Sequence, residues 1–516
     1  MRIIPAVAAV ACLTFAQPVL AQGPQNATPE QQHDKDTAET IAKHWAVAPT
    51  EETETSYTSS ANVDGHSIGY KATAGTLTIR DDQGKPVASI FYTAYTTPGA
   101  HRPVTFFYNG GPGSATLWLR MGSFAPDAVL TTDPVAVAPA PYHIGPNPDT
   151  LIGTTDMVFI DAVGTGYSRI LGDAKPKDFY GVDQDATAFT KAIKRYLTKN
   201  KRWSDPKYIF GESYGTTRSA ALALQLENAG VELNGVVLLS SVLNYGASQP
   251  GYDTEYIGYL PTFAAVAWYH NKIADKPADL ATFVAQARAF AAGPYASALA
   301  KGTDITRQET DQIARQMAHF TGLPVDYIKD ANLRVSASRF RKELLRDQRE
   351  TLGRFDGRYM GTDVDAAGER PGYDPSDTGI SGAYVSGFMD RLTRKFDYKT
   401  NLDYRLSVWD TRPWDWDFSH QGPDGRPQAV VDVAEDLARA MRTNPHLHVL
   451  SLNGYYDMAT PFFKTEYDLK HMMLPENLRS NLQFHYYPAG HMVYLNPVGR
   501  HEMRLDLQRF YAASGS

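Results

Sequence analysis

Three short stretches of the chain place reactive residue types where a backbone turn would expose them. In Gly211-Glu212-Ser213-Tyr214-Gly215 a serine has glycine two positions to either side. Tyr208-Ile209-Phe210 before it reads as a buried strand, and the small and apolar run from Ser219 to Leu224 after it reads as a helix, so the pentapeptide falls on a strand-to-helix turn. A side chain at such a turn sits in strained backbone, and only neighbours as small as glycine let the two elements pass so closely. Ser213 is therefore the candidate nucleophile. A serine hydroxyl is weakly nucleophilic at its own pKa and needs an imidazole base, which in turn needs a carboxylate to hold its tautomer and stabilise its charged form. Asp457 closes Asn453-Gly454-Tyr455-Tyr456-Asp457 after a strand predicted at 446–452, and His491 closes Pro488-Ala489-Gly490-His491 after one at 482–487. Taken singly, Asp457 reads as a turn former and His491 as one of 14 histidines. In the order Ser, Asp, His, each just past the carboxyl end of a strand, the three read as one nucleophilic device. Asp468 is the alternative acid.

A second glycine-rich turn, Asn109-Gly110-Gly111-Pro112-Gly113-Ser114, follows a strand at 103–108, and backbone N–H groups in such a turn can approach a developing oxyanion. No Gly-Lys-Ser/Thr follows, which excludes a phosphate loop. Around these turns the elements fall into place. Alternating segments at 67–72, 75–80 and 87–94 predict an antiparallel meander. Buried strands at 156–161 and 235–240 and an amphipathic helix at 183–197 predict a mostly parallel sheet covered by helices on both faces. From 245 to 443 the rhythm is lost. Helical runs at 260–270, 277–291, 307–321 and 336–349 followed by aromatic-rich loops predict an insertion that caps the sheet, and the sheet resumes over 444–516, with a closing helix at 503–511. Trp409, Trp414, Trp416 and Phe418 are read as packing, with a sugar or aromatic platform as the alternative. Asp363-Val364-Asp365-Ala366-Ala367-Gly368 has alanine where a calcium loop needs an oxygen ligand, so no metal is expected there.

Composition narrows the setting. Residues 1–21 have the pattern of a signal peptide, with Arg2 before an apolar run and Ala21 at the expected cleavage point, which predicts a periplasmic or secreted protein. The single cysteine, Cys12, lies inside that segment, so cleavage leaves a chain without disulfides, thiolate metal sites or a cysteine nucleophile. Residues 22–55 are polar and read as a flexible leader, with a short helix at 38–45; the first part of the core is expected at 56–244. A net charge of −7 argues against nucleic acid as a partner, and no later stretch is long and apolar enough to cross a bilayer. Nothing in the composition bears on oligomeric state.

The turns at 109–114, 161–168, 211–215 and 453–457 and Gly490-His491-Met492, taken in order, resemble the successive signatures of the serine carboxypeptidase family over most of the chain. The resemblance implies an α/β-hydrolase fold with a helical cap, no cofactor or metal, and peptide substrates. It implies a triad of Ser213, Asp457 and His491, with an oxyanion hole from the amides of Gly111 and Tyr214. It also implies that Asn109, Gly110 and Glu212 bind the substrate's terminal carboxylate. An esterase or acyltransferase on the same scaffold, or a silent binding protein, are the other readings. The chain departs from the family pattern at Ser114, where the family has cysteine, and at Ser123, where ungapped counting places the family's second carboxylate-binding glutamate. Without that partner, an ionised Glu212 is expected to repel a free carboxylate and to weaken discrimination for free C-termini.

Overall fold

The computed structural model describes residues 48–249, 251–408 and 416–515. The proposed signal segment, Cys12, most of the polar leader with its predicted helix, Trp409 and Trp414 lie outside these residues.

Nine strands build the main sheet: β1 (Glu54–Val63), β2 (His66–Arg80), β3 (Pro86–Thr96), β4 (Val104–Tyr108), β5 (Asp156–Ile160), β6 (Lys207–Glu212), β7 (Gly235–Leu239), β8 (His448–Gly454) and β9 (Leu482–Tyr487). They lie in the order β1-β2-β3-β5-β4-β6-β7-β8-β9, and a two-residue strand, Arg169–Ile170, pairs with β3 off this path. From β5 to β9 every pairing is parallel, whereas β1, β2 and β3 join antiparallel. The parallel strands are short apolar runs because both faces are covered. In β6 and β7, Ile209, Val236 and Leu238 enter one core with the helices Val182–Asn200, Tyr214–Asn228 and Ala434–Thr443. Tyr208, Phe210, Val237 and Leu239 enter the opposite core with the closing helix Pro497–Ser514. Strand order and layering are those of the α/β-hydrolase fold.

Several elements differ from the sequence expectation in extent. The segments at 67–72 and 75–80 form one 15-residue strand, β2, held on both edges by β1 and β3. The helix expected at 336–349 ends at Glu343 and gives way to a 3-10 turn at Arg346–Gln348. The closing helix begins at Pro497, where the Asn496 side chain accepts the Gly499 N–H.

The 200-odd residues between β7 and β8 divide their work. Helices Thr254–Tyr269, Leu280–Phe290 and Arg307–Thr321 build a separate apolar core with Phe340 and Leu352, and this core includes Tyr456, Met458 and Phe462 around Asp457. The later part folds back on the sheet: Tyr384, Phe388 and Phe396 join one face, and Val408, Trp416 and Val431 the other. Trp416 stacks on Tyr180 and meets the Tyr214 ring edge-on at 5.3 Å, so it packs beneath the serine turn. Asp363 is ion-paired with the buried Lys342.

His420 ties this returning segment to the core. Its Nδ1 is 2.6 Å from Asp183 and its Nε2 2.8 Å from Asp436. Burial disfavours the imidazolium, but the two carboxylates outweigh it and raise the pKa to about 9. A folded value above the unfolded one means that the stabilisation is complete below about pH 6.5 and is lost as pH rises through about 9. We expect His420→Ala, which strands a buried carboxylate, to cost about 3 kcal/mol at pH 6, and its Tm deficit to narrow toward pH 10. A deficit independent of pH in thermal melts would assign the effect to packing instead.

Candidate active site

Ser213 has φ 60° and ψ −131°, a strained conformation for a residue with a Cβ, between β6 and the helix Tyr214–Asn228. A Cβ on Gly211 would come within 2.2 Å of the Gly215 carbonyl oxygen. The turn after β4 presses on the same point, because a Cβ on Gly110 would lie 2.4 Å from the Tyr214 nitrogen. The Ser213 N–H donates to the Leu239 carbonyl at the end of β7, which fixes the turn to the sheet. Tyr214 is the first residue of its helix, so its amide has no partner within the helix. Among the described residues neither that amide nor the amide of Gly111 is taken up by another backbone group.

Asp457 and His491 follow β8 and β9, two and three strands along the sheet from β6. The loops that carry them touch, and a Cβ on Gly454 would meet the Gly490 oxygen at 2.1 Å. Asp457 Oδ1 accepts the N–H groups of Ala459 (2.8 Å) and Thr460 (2.9 Å), and Oδ2 accepts the Thr460 hydroxyl at 2.6 Å and faces His491 Nδ1 at 2.8 Å. His491 is 2% exposed and Asp457 1%. Burial alone would pull the His491 pKa down; the Asp457 charge and hydrogen bond, with Glu212 adding to them, outweigh it and leave it raised. With Nδ1 committed to Asp457, Nε2 is the nitrogen left for a substrate-side proton. Among the described residues no hydrogen bond engages the Ser213 hydroxyl, which is partly exposed. Asp468 faces elsewhere: its Oδ2 takes the amides of Leu243 and Asn244.

The sequence does not announce the groups that hold the histidine. Its backbone N–H donates to Phe355 O at 2.6 Å, the Phe355 ring lies 5.1 Å from the imidazole, and the Ser240 hydroxyl donates to His491 O. The Phe355 segment is itself pinned by Arg358, which pairs with Asp356 and Asp133 and donates to Pro488 O just before the histidine loop. Thr460 was signalled locally, since Asp457-Met458-Ala459-Thr460 has the spacing of a side-chain-capped turn.

Glu212 is fully buried beneath Ser213, and burial raises its pKa to about 7 despite the opposing effects of His491, Tyr494 and Asn109. Asn109 Oδ1 accepts the Leu119 N–H, which turns its Nδ2 to the Glu212 side. Gly110 is buried between these residues and the serine turn, while Gly111 is open to solvent. Ser123 is buried, and its hydroxyl donates to Leu119 O at 2.6 Å. It ends the short helix Leu117–Gly122 and brings no carboxyl to Glu212.

Comparison with known proteins gives the family. A family model described as serine carboxypeptidase matches residues 64–494, and the chain belongs to that family. The retinoid-inducible serine carboxypeptidases of Rattus norvegicus and Homo sapiens are 27% identical over 179 residues and 29% identical over 130 residues. Those matches cover 31% and 25% of this chain and 36% and 25% of the relatives, so the chain spans well under half of their length. Among solved structures, a prohormone-processing carboxypeptidase from Saccharomyces cerevisiae superposes with a TM-score of 0.49 and 13% identity, covering 86% of this chain and 91% of that one. Among the described residues no helix is long and apolar enough to cross a membrane, and no group of three or more His, Cys, Asp or Glu side chains could hold a metal.

Proposed function

We propose that the protein is a serine-type carboxypeptidase that releases C-terminal residues from peptides through an acyl-enzyme. The observation that carries this reading is the juxtaposition at one sheet edge of a strained Ser213, the buried Asp457–His491 pair and a buried Glu212 next to the serine. Ser213 Oγ attacks the scissile carbonyl carbon while His491 Nε2 takes its proton, and Asp457 stabilises the imidazolium. The amides of Gly111 and Tyr214 receive the oxyanion. The imidazolium then protonates the leaving amine, water attacks the acyl-enzyme with His491 again as base, and Ser213 is regenerated. Asn109, Gly110 and Glu212 hold the substrate's terminal carboxylate. The signal-like segment at 1–21 supports a periplasmic or secreted setting.

The test is incubation of the purified protein with a defined peptide mixture, followed by mass spectrometry. Ladders shortened from the C-terminus are expected. Ester hydrolysis without peptide trimming would move the assignment to an esterase or acyltransferase, and failure of a phosphonofluoridate to label Ser213 would leave only a binding protein.

A further inference from the structure

Among the described residues, three buried polar atoms near Ser213 meet no partner in good hydrogen-bond geometry, although Glu212 and Tyr494 lie within each other's reach: Glu212 Oε2, Tyr494 Oη and Tyr384 Oη. They come from β6, from the turn after His491 and from the helix Ser381–Asp390. Glu212 and Tyr494 act on each other's proton, Asn109 lies beside both, and Tyr384 feels the Glu212 charge. Gly122 makes the room. A Cβ there would meet Tyr494 Cδ2 at 2.5 Å and Tyr384 Oη at 2.6 Å, so the two rings fill the space beside the end of the helix that Ser123 closes. Orphaned buried polar groups are costly, and three of them in one place mark a position where a polar ligand completes the bonding.

We propose that Tyr494, with Tyr384 behind it, completes the recognition site for a substrate's C-terminal carboxylate, supplying phenolic donors in place of the absent second carboxyl. This rests on the peptidase reading above. The donors decide the ligand. Asn109 offers only its Nδ2, since Oδ1 is spent on Leu119, and the phenols offer O–H. Glu212, protonated below about pH 7, offers another O–H. Such a wall suits a group that only accepts, a carboxylate; a carboxamide would point its own N–H groups at donors. The sequence expectation of weak selectivity rested on an isolated Glu212, and the structure puts Tyr494 beside it.

The pH dependence follows. The groups facing Glu212 are His491, Asp457, Tyr494, Asn109 and Tyr384. Tyr494 is held well above its ordinary value, by burial first and by Glu212 second, and stays a donor throughout. Glu212 loses its proton as pH rises through about 7 and from then on repels the carboxylate.

The experiment compares matched peptides ending in a free carboxylate and in a carboxamide. For the wild type at pH 6 we expect kcat/KM to favour the free acid by about 100-fold or more, with the ratio falling above pH 7, mainly through KM. Tyr494→Phe keeps the ring that lies against Gly122 and removes the hydroxyl. We expect it to lower the ratio by about 10-fold, again through KM, and Tyr494→Phe with Tyr384→Phe to lower it further. A ratio unchanged by Tyr494→Phe overturns the proposal. If that variant does not fold, the wild-type pH series decides, because a ratio constant from pH 5 to pH 9 overturns it equally. Cleavage of both peptides with equal efficiency overturns the carboxylate site and leaves the peptidase reading standing, whereas cleavage of neither overturns both.

Discussion

Ser213→Ala and His491→Ala are each expected to lower kcat by about 10⁴-fold or more, and the double variant to lose little beyond either single one, because nucleophile and base act as a unit. The structure makes this a clean comparison. Alanine at 213 keeps the Cβ and therefore the strained φ of 60°, so the turn and the Tyr214 amide stay where they are. Loss of the imidazole leaves Asp457 with the Ala459 and Thr460 amides and the Thr460 hydroxyl, enough to hold the loop. Ser213→Ala should melt close to the wild type, and His491→Ala below it, because the buried Asp457 keeps these hydrogen bonds but loses its charge partner. Single-turnover and steady-state rates on one peptide give the result, and losses that multiply in the double variant would show that the two residues serve separate steps.

How far the site could be read in advance depends on where its information lies along the chain. Ser213, Asp457 and His491 each follow a strand whose apolar run is bounded by glycine or proline, so strand and turn are both written within about ten residues. The parallel strands were legible for the same reason: cover on both faces demands continuous apolar residues. β2 was not. Thr73-Ala74-Gly75 is small enough to read as a break, and its continuity is imposed by the partners on either edge, Ser56 to Glu54 on β1 and Ala94 to Tyr92 on β3. Nor were Phe355, Arg358 and Asp133 visible. They reach the histidine from more than a hundred residues away, and no local spacing records that approach. Tyr494 stood three residues from His491 in plain view, but its meaning depends on Gly122 and Ser123 at the far end of the chain. Patterns within one element or turn can be read; contacts between distant turns have to be seen.

Asp457→Asn is expected to leave fold and substrate binding intact while lowering kcat by about 10³- to 10⁴-fold, and the hydrogen bonds say why. Two backbone N–H groups point at Oδ1, from Ala459 at 2.8 Å and Thr460 at 2.9 Å, so an asparagine must place its oxygen there. Its Nδ2 then takes the Oδ2 position, 2.8 Å from His491 Nδ1, where a donor meets a nitrogen that ought itself to donate. The Thr460 hydroxyl can turn from donor to acceptor and so permits the exchange. His491 is thereby driven to the tautomer with its proton on Nε2, the nitrogen that must take the proton from Ser213. The same change removes the charge that holds the imidazole pKa up against burial, so the acid limb of kcat/KM should move to lower pH than in the wild type. A loss of rate together with that shift is the expected pair of results. An Asp457→Asn protein of wild-type activity would show that another group orients His491, and a slow variant whose acid limb stays in place would show that the carboxylate acts through position alone.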